Sequence, residues 1–188
     1  MSAVQRTIEE VTDTQVAPAE QDNVTKNSSL GVALMRITLG VVILATWWGN
    51  ITADPNFYSS EGLIGFFDWA FTPAEEGGNG ASLGFIEAII DNTVLQAPGF
   101  FGLVQSIVEP LIGLGLVFGV ATRLNAALAF AFFVGLFLTY FGGEEWIWTY
   151  VLLMAGAVTT FVSWGGRTLG VDRAIAAVRG DSPGKLIW

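Results

Sequence analysis

Phe100–Val120 reads FFGLVQSIVEPLIGLGLVFGV, 21 residues holding one ionisable side chain, Glu109, followed directly by Pro110. A bilayer core of about 30 Å is crossed by about 20 helical residues at roughly 1.5 Å each. Backbone groups cannot stay unpaired in lipid, so a span of this length must be a helix. Three further apolar blocks have the same character: Leu30–Gly49, Leu124–Phe141 and Trp146–Trp164. With 52% apolar residues and a mean hydropathy of +0.56, the chain falls among membrane proteins. The expected fold is an all-α integral membrane protein, a four-helix transmembrane bundle.

Around the spans, residues 1–28 are polar and acidic and read as a disordered cytoplasmic tail. Residues 29–179 form the membrane domain, and 180–188 a C-terminal tail. The first apolar run starts too late and runs too long for a signal peptide, so span 1 is expected to stay in the mature protein. The outer segment 51–99 is too long for an ordinary connection and too apolar for disorder. Leu63, Phe66, Phe67, Ala70 and Phe71 recur at helical spacing, as do Leu83, Ile86, Ile89, Ile90 and Val94. The break Glu75-Glu76-Gly77-Gly78-Asn79-Gly80 divides them. Two short surface helices are expected, as a shield over the bundle or as a lid on a pocket. Asp172–Arg179 reads as a short cytoplasmic surface helix.

The basic residues set an orientation. Arg6 and Lys26 precede span 1, Arg123 joins spans 2 and 3, and Arg167, Arg173, Arg179 and Lys185 follow span 4. The other two connections hold acidic residues and no Lys or Arg. The positive-inside rule then places both termini in the cytoplasm, with the protein in the cell membrane as a multi-pass chain. A net charge of −9 excludes nucleic acid as a partner. An acidic surface with two lysines suits a halophilic cell such as an archaeon's, where salt screens like charges. Cysteine and histidine are absent, which removes thiol nucleophiles, disulfides, iron–sulfur clusters, Cys/His-held zinc and the usual haem ligation. No metal site is expected.

Within the spans only Arg36 and Glu109 carry charge. Arg36 lies about 9 Å and Glu109 about 16 Å from the cytoplasmic ends of their helices, a difference an arginine side chain can cover. A span 1–span 2 ion pair is therefore expected. Gln105 lies one turn from Glu109 on the same face. Gly40, small, followed by Trp47, aromatic, could leave room for a planar ligand, with Trp48 beside it. Pro110 cannot donate a backbone bond, so a carbonyl near Gln105–Ser106 should be left to water or ligand. Gly115-x-x-x-Gly119 offers a small-residue face for close helix packing. The polar constellation reads as a register-fixing ion pair, as a quinone or proton site, or as part of a permeation path.

Several short motifs resemble the DoxX/DoxD family. They are Arg36 early in span 1, Glu109 before the glycine-spaced run Leu111–Gly115, and the corner Gly119-Val120-Ala121-Thr122-Arg123-Leu124-Asn125-Ala126-Ala127. Gly165-Gly166-Arg167 with Leu169 and Asp172 completes the likeness, which covers residues 30–175. The resemblance implies a four-helix membrane protein. It further implies a DoxD-like subunit of a thiosulfate:quinone oxidoreductase, or a DoxX-like membrane subunit of an oxidoreductase complex, with a second protein subunit as partner.

On this reading Glu109 exchanges protons with a quinone oxygen, Arg36 holds Glu109 or the charge on the ring, and Gln105, Trp47 and Trp48 are the candidate quinone contacts. The alternative is a non-enzymatic accessory or assembly subunit of a larger complex. A small-solute transporter is a third reading, weakened by the lack of visible inverted repeats.

Overall fold

The computed structural model describes residues 18–180. Residues 1–17 and 181–188, which include most of the expected N-terminal tail and the C-terminal tail, lie outside the described residues. Seven α-helices and no strands make up the described chain: α1 (Pro18–Thr52), α2 (Ser60–Phe71), α3 (Gly84–Asn92), α4 (Pro98–Phe118), α5 (Thr122–Tyr140), α6 (Trp148–Val162) and α7 (Val171–Arg179). Three are long and apolar enough to cross a membrane: the Ser28–Thr52 part of α1, and all of α4 and α5. The fourth apolar helix, α6, has 15 residues, about 22 Å by helical rise.

The expected span Trp146–Trp164 is thus shortened at both ends. At its start, the backbone N–H groups of Glu144 and Glu145 donate to the buried Asn79, at 2.9 Å to its carbonyl and 3.0 Å to its Oδ1. This ties the approach to α6 to the outer segment. At its end, Trp164 takes a left-handed conformation (φ 52°), which a continuing helix cannot accommodate. The described part of the expected disordered tail also differs. Residues 18–28 are helical, continuing α1, because adding a turn to a formed helix needs no new nucleation.

The four apolar helices pack α1 against α4 and α6, and α5 against α4 and α6. Leu39 and Ile43 of α1, Ile112 and Leu116 of α4, Ala126, Ala129 and Phe133 of α5, and Ala157 of α6 form one buried cluster. Glycine sets the closest approach, but not through the Gly115-x-x-x-Gly119 face. A side chain at Gly40 would meet the Gly113 carbonyl at 2.6 Å, so α1 and α4 touch at Gly40 and Gly113. That contact closes the space beside Gly40 in which a planar ligand was expected. Gly115 instead makes room for the Asn125 side chain, and Gly119 for the Arg36 guanidinium.

The outer segment forms two short helices, as its periodicity predicts. Ser59 caps α2 by accepting from the Gly62 N–H at 2.9 Å. Gly77, at φ 90°, closes the turn that follows. Phe66 packs edge-on against both Phe57 and Tyr140, fastening α2 to the top of α5.

Candidate functional site

Arg36 and Glu109 are both buried, at 0% and 2% exposure, but they do not pair. The Arg36 guanidinium donates to the Leu116 carbonyl at 2.8 Å, to Val117 at 3.4 Å and to Leu169 at 3.0 Å. Leu116 and Val117 stand in the last turn of α4, where carbonyls have no helical donor and the helix dipole is negative. Those acceptors are nearer than Glu109, which lies seven residues further up α4, about 10 Å by helical rise. The carboxylate whose field reaches Arg36 is Asp172.

Asp172 is 1% exposed and accepts from the N–H groups of Ala121 (2.7 Å) and Thr122 (2.8 Å). It therefore caps the start of α5 from α7, a place where a carboxylate suits the helix dipole. Its own N–H donates to the Gly119 carbonyl at 2.9 Å. Gly166 lies against both Thr122 and Asp172 with no room for a side chain. The motif residues Arg36, Gly119, Thr122, Gly166 and Asp172 thus meet in one buried knot at the basic end of the bundle, joined by the backbone carbonyl of the exposed Leu169.

Glu109 belongs to a second cluster, toward the end that carries the acidic connections. Tyr58 donates its phenol O–H to Glu109 Oε2 at 2.7 Å, and the Gln105 amide approaches the same oxygen at 3.5 Å. Glu109 Oε1 is buried and finds no hydrogen-bond partner among the described residues. Both of these partners are neutral groups. Tyr58, between α1 and α2, is 7% exposed. Its backbone rests on Gly102, where any side chain would collide with it. Burial first, then the hydrogen bond to Glu109, pushes the Tyr58 phenol well above its ordinary value, so it remains a donor throughout physiological pH.

Two cavities adjoin this cluster. One of about 230 Å³ is lined by Glu109, Gln105, Leu63, Phe67 and Phe132 among others. A second, of about 420 Å³, lies under α2 and α3 against α5 and shares Gln105, Leu63, Phe67 and Phe132 with the first. Residues of both outer helices therefore line a cavity against α5. Val104 and Val108, on the wall of the smaller cavity, are about 40% exposed on the outside of α4.

Of the candidate quinone contacts, Gln105 lines both cavities, whereas Trp47 and Trp48 line neither. Trp47 donates its indole N–H to the Ser106 carbonyl at 2.9 Å, the acceptor that Pro110 deprives of its helical donor. That carbonyl is thus taken by the protein itself. Trp48 is 63% exposed and points outward.

Tyr58 carries no signal in sequence beyond being a tyrosine in a long connection. Gly102, two turns above Glu109 on one face of α4, was the available hint that backbone comes close there. Compared with known protein families, with curated proteins and with solved structures, the chain matches none.

Proposed function

We propose that the chain is a four-span membrane protein, with both termini in the cytoplasm, that holds a quinone-type ring beside Glu109 as the membrane subunit of an oxidoreductase complex. The observation carrying this is an apolar cavity whose polar groups are a buried carboxyl with one unpartnered oxygen and an amide. At about 420 Å³, the larger cavity falls within the usual range for small-molecule sites. Phe67 and Phe132 offer aromatic faces, and Gln105 and Glu109 would hold ring oxygens. A bound quinone supplies two-electron, two-proton chemistry. The chain's own residues bind it, keep water away and hold a proton at Glu109.

The four-span reading is supported by α6, which lies beside α1 and α5 and is flanked by Trp146, Trp148 and Trp164 at interface positions. A helix shorter than the bilayer core is accommodated by local thinning. Electrons have to come from a partner subunit, because this chain offers no cysteine- or histidine-held centre. The likeness to DoxX/DoxD membrane subunits points the same way. Titration of the protein in lipid nanodiscs with decyl-ubiquinone, read by quenching of tryptophan fluorescence, tests the proposal. Saturable binding that Glu109→Leu weakens by about tenfold or more is expected, the loss of a buried polar contact being worth about 1–3 kcal/mol. Binding that does not saturate, or that Glu109→Leu leaves unchanged, overturns it in favour of an accessory subunit.

A further inference from the structure

Glu109 lines the apolar cavity described above. Its hydrogen-bond partner Tyr58 lines a separate recess of about 280 Å³, mostly apolar surface from Ile51, Gly99 and Leu103 with the polar groups of Asn56, Ser59 and Ser106. Asn56, one of its lining residues, is exposed at the end of the bundle that carries the acidic connections. Tyr58 lines the recess with one side and donates to Glu109 Oε2 at 2.7 Å with its hydroxyl. Asn50 Nδ2 approaches the same hydroxyl oxygen at 3.5 Å, which orients its remaining lone pair.

We infer that Tyr58 is a proton relay joining the water of this recess to Glu109, so that protons exchanged at the cavity enter and leave at the acidic end of the bundle. The inference rests on the reading of Glu109 as the group facing the ligand, and adds the route and its side. The step balances as a concerted shift. Starting from Glu109 as the carboxylate, once its proton has been given up, the Tyr58 O–H proton moves to Glu109 Oε2 while a water in the recess gives a proton to Tyr58 Oη, and the hydroxide left behind takes a proton from bulk solvent. The reverse shift releases a proton outward. A stepwise route through a free tyrosinate is disfavoured, because burial of the phenol penalises its charged form. Among the described residues the basic end offers no equivalent. There the Arg36 guanidinium fills the space between α1 and the end of α4, and a fixed cation repels a migrating proton.

Infrared spectroscopy of the full chain in lipid nanodiscs, transferred from H₂O to D₂O, tests the relay. The Glu109 carboxylic C=O band is assigned as the one missing in Glu109→Gln, and its isotope shift is followed in time. Tyr58→Phe, which keeps the ring, is expected to slow that shift by roughly tenfold or more, as loss of a positioned proton-transfer group does. Bulk amide exchange should be unchanged. Trp48→Phe, an exposed aromatic that lines neither cavity, should exchange as fast as wild type. An unchanged rate in Tyr58→Phe, equal slowing in Trp48→Phe, or no carboxylic band assignable to Glu109 would overturn the relay. Quinone is not present in this measurement, so failure of the relay and failure of quinone binding are read separately.

Discussion

Trp47 and Pro110 act on one carbonyl from opposite directions. Pro110 removes the helical donor of the Ser106 oxygen, and the Trp47 indole replaces it at 2.9 Å. Trp47→Phe should therefore cost about 1–3 kcal/mol, the penalty of an unpaired half-buried acceptor. In a Pro110→Ala background, where the helix regains its own N–H, the same change should cost clearly less. Thermal melts followed by circular dichroism would show this as a coupling of about 1 kcal/mol in the double-mutant cycle. Gly119 bears a stricter demand, with φ at 67°, the Arg36 guanidinium against it and the Gly170 Cα 2.7 Å from any added Cβ. Gly119→Ala should destabilise by about 1–3 kcal/mol. Gly65→Ala, on an open helical surface, should be neutral or stabilising by about 0.5–1 kcal/mol. The Tyr58 phenol is held above its ordinary value in the folded state, so its contribution is complete below the unfolded value of about 10 and fades as pH rises through the folded one. The stability gap between wild type and Tyr58→Phe should thus be level through neutral pH and shrink only in strong alkali. At this scale the sequence marked Arg36 and Glu109 as charges within the spans but not the groups they meet. Arg36 and Glu109 were visible as buried charges, yet helical rise alone could not show that the last carbonyls of α4 lie nearer to Arg36 than the carboxylate does.

At the scale of elements, α5 begins without a cap from its own chain neighbours. Ala121, at φ 45°, precedes it, and Asp172 of α7 supplies the acceptor for both Ala121 and Thr122. Asp172→Ala should therefore loosen the α4–α5 corner and cost about 0.5–2 kcal/mol, with Asp172→Asn losing less because one acceptor oxygen remains. Hydrogen exchange at the first turn of α5 would report the change, while α2 should keep its protection. The helices themselves were legible. Blocks of 18 to 21 apolar residues marked the bundle, and apolar spacing marked α2, α3 and α7. Their ends were less so, since the start of α6 is fixed by Asn79, which lies 66 residues from Glu145. No local pattern encodes such a contact.

For the whole molecule, polar chemistry is sorted to two levels. A knot of Arg36, Thr122, Gly166 and Asp172 closes the basic end, and Tyr58, Gln105 and Glu109 border the cavities toward the acidic end. On the proposed positive-inside orientation these ends lie on the two sides of the membrane. The chain has no cysteine, so single substitutions give background-free labels. An impermeant maleimide added to intact cells should label Glu75→Cys and leave Arg179→Cys unlabelled. The central claim is that the cavity beside Glu109 holds a quinone. Purification from native membranes followed by chromatographic quantification of extracted quinone tests it most directly. The account predicts quinone retained in a near-stoichiometric ratio by wild type and by Trp48→Phe, and lost from a folded Glu109→Leu. Wild type without quinone, or Glu109→Leu retaining as much as wild type, would contradict it.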